Sequence, residues 1–387
     1  MQYGALRLSA GQETPAAARR GRGDPLIWAL TLSLLTVGVM MVFSASFPSA
    51  FYDLQGETGG NGAWFFLRQL LFALLGVGAM AFCSLIPLRV YERLALPALL
   101  GALLLLALVP VVGVKVNGAR RWISLGITTF QPSELAKLAV ILFFSAQISR
   151  TGEQMSTFRQ GILPYALILL LITGLLVLEP HFSATVIILS VGAVLLFAGG
   201  ARLGWFVGGG TLLVSGGTLA YFAFPYVAER LRAWRDPFSD LTGDGWQVVQ
   251  SLYAIGSGGL SGLGLGRSRQ KYLYLPEEHN DFIFAVLCEE LGFLGALVVL
   301  CLFALLIIRG FRTALGCSDR FGFLLGVGIS SLLALQTILN IAVCTNLLPC
   351  TGIALPFFSY GGTALLIQLA EMGILLSVSR ENPGDPL

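Results

Sequence analysis

From residue 26 onward the chain is a succession of long apolar runs broken by short polar segments. A helix needs about 20 mostly apolar residues to cross a bilayer. Ten runs come close to that length: 26–46, 64–86, 94–114, 133–150, 162–178, 183–200, 204–224, 282–308, 321–344 and 357–379. The fifth and sixth are parted only by "EPHFS", so a tight hairpin is expected there. The pattern predicts an all-α polytopic membrane protein with ten transmembrane helices, residues 26–380 forming the membrane domain. Residues 1–25 are polar and lack the apolar stretch and cleavage site of a signal peptide, so they read as a disordered cytoplasmic tail. Residues 381–387 read as a second short tail.

Composition supports this class. The 387 residues are 56% hydrophobic and 12% charged, where soluble domains carry about 25% charged residues. Mean hydropathy is +0.80. A net charge of +3 says little about partners, and no basic patch interleaved with aromatics points to nucleic acid. The six cysteines show neither CxxC nor metal-ligand spacing. Cys83, Cys288 and Cys301 fall inside apolar runs as small packing residues, while Cys344 and Cys350 stand near one loop, where a disulfide could form.

Charge in the loops sets the orientation. Arg19, Arg20 and Arg22 precede the first run, and Arg380 follows the last. Arg89 with Arg93, Arg150 with Arg159, Arg202, and Arg309 with Arg312 and Arg320 fall in alternate loops on that same side. The positive-inside rule makes this side cytoplasmic, with both termini inside. The exception is "VKVNGARRWISLGITTFQPSE", which puts Lys115, Arg120 and Arg121 outside. Anion binding would explain them, and so would a few tolerated charges. One outer loop, 225–281, is much longer than the rest and rich in aromatics, including Trp234, Trp246 and Tyr253. Loops beyond about 15 residues are usually functional or disordered, and here short helices or re-entrant pieces on the outer face are expected. Its "GSGGLSGLGLG" follows no strand, so it reads as flexible backbone turns rather than a nucleotide site.

Several ionisable groups fall inside or beside the runs, where charge is costly and marks function or pairing. Glu134 and Lys137 are three apart, on one helix face, as a structural salt bridge or as the wall of an anion-holding cavity. Glu371 lies deep in the tenth run, with Arg68 a candidate partner. "LPEEHNDFIFAVLCEELG" carries five acids. Read as a helix, Asp281 and Glu289 are about 12 Å apart along the axis. A close carboxylate pair of the glycosidase kind, about 5–9.5 Å apart, is thereby excluded. Asp281 stands alone at the outer boundary, as a helix cap or as a catalytic group. Glu289 and Glu290 read as buried network acids needing partners, and Glu277 and Glu278 as a solvated loop end.

"NGARRWISLGITTFQPSELAKLA", "GDGWQVVQSLYAIGSGGLSGLGLG", "LPEEHNDFIFAVLCEELG" and "LLPCTGIALPFFSYGGTALL" resemble, in this order, the SEDS proteins, the FtsW, RodA and SpoVE peptidoglycan polymerases. The resemblance runs from the first span to Arg380, and "GLGLGRSRQKYLYLPEEH" is nearer the FtsW and SpoVE pattern. Two departures stand out. A loop that commonly reads QPDxGT is here "EPHFSA", so no role for its acid carries over, and Asn280 precedes Asp281 where Thr or Ser is common.

The resemblance implies an enzyme of the bacterial cytoplasmic membrane, with its active site on the extracytoplasmic face. It would join lipid II disaccharide units and release undecaprenyl pyrophosphate, with Asp281 essential. One general base suffices for a single inverting displacement. Arg120, Arg121 and Lys137 are the cations expected to face the leaving pyrophosphate. Glu134, Arg230, Trp234, Gln247, Ser359 and Tyr360 are expected cavity residues; for "PFFSYGG" a packing kink is the alternative. Mg²⁺ or Mn²⁺ would be held mainly through substrate phosphates, and no organic cofactor is implied. The implied partners are a class B penicillin-binding protein, since no transpeptidase motif is present, and other division or elongation proteins. A lipid II flippase and a pure scaffold are the rival readings.

Overall fold

The computed structural model describes residues 23–52, 56, 58–116, 119–126, 128–239 and 244–381. Arg19, Arg20 and Arg22, with most of both tails, lie outside them. Among the described residues there are twelve α-helices: α1 (Pro25–Tyr52), α2 (Trp64–Leu85), α3 (Leu88–Val112), α4 (Pro132–Thr151), α5 (Leu163–Leu178), α6 (Phe182–Ala198), α7 (Leu203–Ala223), α8 (Pro225–Arg235), α9 (Asp244–Ser257), α10 (Ile283–Gly316), α11 (Arg320–Cys344) and α12 (Gly362–Arg380). Eight are long and apolar enough to cross a membrane: α1, α2, α3, α5 with the turn before it, α7, α10, α11 and α12. The chain is a mostly helical, multi-pass membrane protein.

The remaining expected runs are α4 and α6. The apolar helix α6 has 17 residues. At 20 residues α4 is long enough, but it carries Glu134, Lys137 and Arg150. It packs against α3, α6 and α11, and buries every residue from Ala136 to Ala146. That central place lets a charged pair sit within it away from lipid. At the periphery, α7 turns Leu203, Val207, Leu212, Val214, Leu219 and Phe222 outward.

An all-α fold is not quite what forms. Strands β1 (Val114–Val116), β2 (Ala119–Ser124) and β3 (Thr129–Phe130) make a small antiparallel sheet after α3, with Lys115 opposite Arg120 and Ile123 opposite Phe130. The local signal is Asn117–Gly118, the dipeptide favoured in two-residue hairpins, flanked by β-branched and aromatic residues. The cysteines are free, including Cys344 and Cys350.

The long loop holds the expected short helices, α8 and α9, followed by a glycine-rich turn region that is knitted into α10. Helix α10 breaks at Gly292, whose φ of 69° suits glycine. The N–H groups of Phe293 and Leu294 turn instead to the carbonyls of Gly259 and Leu260, at 2.9 and 3.1 Å. The carbonyls of Glu289 and Glu290 accept from Leu263 and Gly264, both at 3.0 Å. The helical bonds lost at the break are thus remade by the loop, as backbone shielded from water requires. A Cβ on Gly292 would stand 2.2 Å from the nitrogen of Gly262, so the approach excludes any side chain.

Side chains secure the same junction. Glu289 accepts from Ser268 Oγ and from the amides of Arg269 (2.9 Å) and Gln270 (3.3 Å). Glu290 pairs with Lys271 Nζ at 2.9 Å and accepts from Ser44 Oγ of α1 at 2.7 Å. Glu289, Glu290 and Lys271 are thus each satisfied in place, and the two buried acids have the partners they were expected to need. At the other end Arg309 meets Asp24 at 2.5 Å, and Asp24 caps α1 through Leu26 N–H at 2.9 Å.

Removing one member of a buried ion pair costs about 3–5 kcal/mol, because the other charge stays behind. Lys271→Met is therefore expected to lower the unfolding temperature in detergent sharply, and Lys271→Met with Glu290→Gln to recover much of the loss. Equal stability of the single variant and wild type would show that the pair does not secure the loop.

Candidate active site

Asp281 lies in the turns just ahead of α10, not within it. The N-cap position is Phe282, with no side-chain cap bond. Capping, one of the two readings open for Asp281, is therefore not its role. Its backbone is held from elsewhere. The carbonyl of His279 accepts from Tyr360 N–H at 2.9 Å, that of Asn280 from Ser359 Oγ at 2.7 Å, and that of Asp281 from Asn340 Nδ2 at 2.8 Å. Three successive carbonyls are thus fixed by α11 and by the segment that precedes α12.

That segment, 345–361, is an irregular return to the mouth of the bundle. Gln69 of α2 clamps it, donating to Ser359 O at 3.2 Å and accepting from Gly361 N–H at 3.3 Å. Asn340 also donates to Ile353 O at 2.6 Å. Gly352, at φ 64°, lies against the Asp281 carboxyl: a Cβ there would stand 3.0 Å from Oδ2. Ser359 and Tyr360 were expected to line a cavity. Ser359 is buried and spent on main-chain bonds, also accepting from Leu355 N–H at 2.7 Å. The Tyr360 ring packs edge-on to Phe65 at 5.0 Å and beside His279 at 5.7 Å.

The Asp281 carboxyl is half-buried, and no described residue hydrogen-bonds to it. Burial pushes it up to about 6, with Glu277 adding to the rise, while Arg230, Arg121 and His279 pull it back. Ionised Asp281 is then a stronger base than a free aspartate and is still mostly charged at neutral pH. The neighbouring acids are not a solvated loop end. Glu278 is buried, bonded to Ser49 Oγ and 3.4 Å from His279 Nδ1, and Glu277 accepts from Asn280 Nδ2 at 2.6 Å.

Arg230 on α8 donates to Cys350 O, and Trp234 Nε1 donates to Asn346 O at 3.1 Å. Together with Gln247 of α9 they line a small cleft over the 345–361 segment. Arg121 comes from β2. Its Nη2 donates to Pro180 O at 2.5 Å and its Nε to Glu179 O at 3.4 Å, at the tip of the α5–α6 hairpin. Behind the tip, Lys137 pairs with Glu134 at 2.7 Å. Lys137 acts on His181 of the tip and, with Glu134, on Glu371 of α12. Lys137 and Glu134, not Arg68, are thus the charges that act on Glu371; the Arg68 guanidinium lies over Trp64, 5.1 Å from the ring.

The expected residues therefore fall into distinct places. Asp281, Arg230 and Arg121 act on one point; Glu134, Lys137 and Glu371 form an adjoining buried set. Glu289 and Glu290 hold the loop below. Arg120 does not join them: it is exposed, and its Nη1 donates to Pro110 O at 3.3 Å. Successive strand residues point to opposite faces, so only one of the two neighbours can face the site. Sequence reasoning missed Asn340, Gln69 and Gly352. An amide inside an apolar run was the available signal for the first two. Among the described residues no group of three or more His, Cys, Asp or Glu side chains gathers to hold a metal.

Because an opposite charge holds a carboxyl down, Arg121→Ala is expected to raise the Asp281 transition above about 6, whereas Arg120→Ala should leave it in place. The acidic limb of a pH–rate profile reads this, and equal shifts in both variants would contradict the placement.

Comparison with known proteins gives this arrangement its family. Residues 24–383 match the family model for the cell cycle proteins FtsW, RodA and SpoVE. Stage V sporulation protein E of Bacillus subtilis is 42% identical over 360 residues, covering 92% of this chain and 97% of that protein. The probable peptidoglycan glycosyltransferase FtsW of Trichlorobacter lovleyi is 40% identical over 359 residues, covering 92% and 93%. Among solved structures, a chain of a peptidoglycan synthase complex superposes with a TM-score of 0.77 at 32% identity, covering 94% of this chain and 99% of that one. The rod shape determining protein RodA of Thermus thermophilus follows with 0.68 at 29%, covering 94% and 98%. With a family match over nearly its whole length, this chain belongs to the FtsW/RodA/SpoVE family.

Proposed function

We propose that this peptidoglycan glycosyltransferase polymerises lipid II in cell division or a related wall-synthesis process, with Asp281 as general base. The observation that carries the assignment is a half-buried carboxyl, raised to about 6 and with no hydrogen-bond partner among the described residues, on backbone fixed from two other elements. Asp281 takes the proton of the acceptor's GlcNAc 4-hydroxyl. The freed oxygen bonds to the anomeric carbon of the donor MurNAc. The bond to the pyrophosphate breaks with its electron pair, inverting α to β. Arg121 and Lys137 are the cations offered to the charge that gathers on the leaving group, and Arg230 steadies Asp281 from the other side. A divalent cation, if engaged, would be held through the substrate's phosphates.

This reading takes ten helices, α1–α7 and α10–α12, as crossings of the bacterial cytoplasmic membrane with both termini inside. Asp281, the hairpin tip, the sheet and the 225–281 loop then lie on the extracytoplasmic side. That they gather at one end of the bundle supports it. The absence of a transpeptidase motif supports a class B penicillin-binding protein as partner, as does the likeness to a chain of a peptidoglycan synthase complex.

Loss of a general base typically removes about 10²–10⁴-fold in rate. Asp281→Asn, purified with the partner and given lipid II in detergent, is expected to yield no resolvable glycan ladder while still binding lipid II. Wild type should lose rate as pH falls through about 6, where the base becomes protonated. Normal polymer from Asp281→Asn would remove Asp281 from the mechanism.

A further inference from the structure

The tip of the α5–α6 hairpin holds polar groups that the mechanism leaves unused. Glu179 ends α5, His181 precedes α6, and Pro180 lies between them. Glu179 is 1% exposed and His181 5%; among the described residues neither carboxyl oxygen of Glu179 has a hydrogen-bond partner, and His181 Nδ1 has none. A carboxylate buried without partners is far costlier than the neutral acid. Burial accordingly pushes Glu179 up to about 8 against the pull of Arg121. Burial, with Arg121 and Lys137 adding to it, pushes His181 down to about 3. At neutral pH the tip is therefore uncharged.

Arg121 ties this tip to Asp281. Its hydrogen bonds go to the main-chain carbonyls of Pro180 and Glu179, while its charge acts on the carboxyls of both Glu179 and Asp281. One cation is thus shared by two acids, and only one of them is ionised at neutral pH. The other charged and titratable groups around the tip are His181 itself and, behind it, Lys137 of α4 with its partner Glu134.

We propose that Glu179 is a positioning residue for glycosyl transfer. As a neutral acid it leaves Arg121 bonded to the tip carbonyls and turned to Asp281 and the leaving pyrophosphate; once ionised it draws the guanidinium to itself and the rate falls. The proposal rests on Asp281 and Arg121 acting as described above.

The test is the pH dependence of lipid II polymerisation between about pH 5 and 9.5, using the full chain with its partner. Below about 8 Glu179 is protonated, and above it ionised. The wild-type rate at pH 9 should fall about tenfold below its plateau, one unit past the transition. Glu179→Gln cannot ionise, so its rate at pH 9 should stay within about twofold of its own value at pH 7. A wild-type profile without an alkaline limb, or a limb unmoved in Glu179→Gln, overturns the proposal. Should Glu179→Gln fail to fold, Glu179→Met offers a second uncharged side chain. The infrared band of a protonated carboxyl in wild type, absent from the variant that folds, should disappear near pH 8, and a band that does not titrate between pH 7 and 9 overturns the proposal as well. The acidic limb reports Asp281 separately: its absence removes that base, while the alkaline limb still decides on Glu179.

Discussion

Asp281 hangs on irregular backbone at the mouth of a helical bundle, where every exposed N–H and C=O must find a partner. The hydrogen bonds to the carbonyls of residues 279, 280 and 281 meet that demand and place the carboxyl at the same time. Their donors come from α11 and from the return segment before α12, which Gln69 of α2 in turn holds. A base on a free loop would sample many positions. Here its main chain is fixed, while among the described residues no group hydrogen-bonds to its carboxyl.

The same logic operates one layer deeper. Helix α10 breaks at Gly292, and the glycine-rich stretch after α9 supplies partners for the N–H groups of Phe293 and Leu294 and the carbonyls of Glu289 and Glu290. Glu289 and Glu290 then gather Ser268, Arg269, Gln270 and Lys271 through side chains. Acids that looked like one cluster in sequence thus divide between α10, which carries Glu289 and Glu290, and the turns ahead of it, which carry Glu277, Glu278 and Asp281. Glu289 and Glu290 secure the loop, while among the described residues none hydrogen-bonds to the Asp281 carboxyl. Electrostatics divides them further, since Glu277 raises Asp281 while Arg121 and Arg230 oppose it. Arg121 is the link to the hairpin tip, since its charge acts on Glu179 as well as on Asp281.

Much of this was legible in the residues. Apolar run length marked the helices, because a bilayer imposes that length. Glu134 and Lys137 declared their pairing by spacing, and their 2.7 Å contact matches it. Reading Asp281 and Glu289 as one helix did not hold, because α10 begins only at Ile283 and Asp281 lies in the turns ahead of it. The sheet was overlooked although "VKVNGARRW" carries a hairpin signal, because three short strands add little to a pattern dominated by long apolar runs. Glu278 was misread as solvated, since exposure depends on Ser49 and His279 folding over it.

What sequence alone determined is therefore whatever depends on neighbours along the chain: the helical membrane class, the hairpin between α5 and α6, the i,i+3 ion pair and the isolation of Asp281. Tertiary structure decided whatever depends on groups far apart in sequence. It turned the charge of Arg121 rather than Arg120 on Asp281, assigned Ser359 and Asn340 to holding carbonyls, and set the charges of Lys137 and Glu134 rather than Arg68 on Glu371. The physical reason is range. Hydrophobic length and helical periodicity are local properties, whereas burial, hydrogen-bond satisfaction and the field at a carboxyl are sums over whatever the fold brings near.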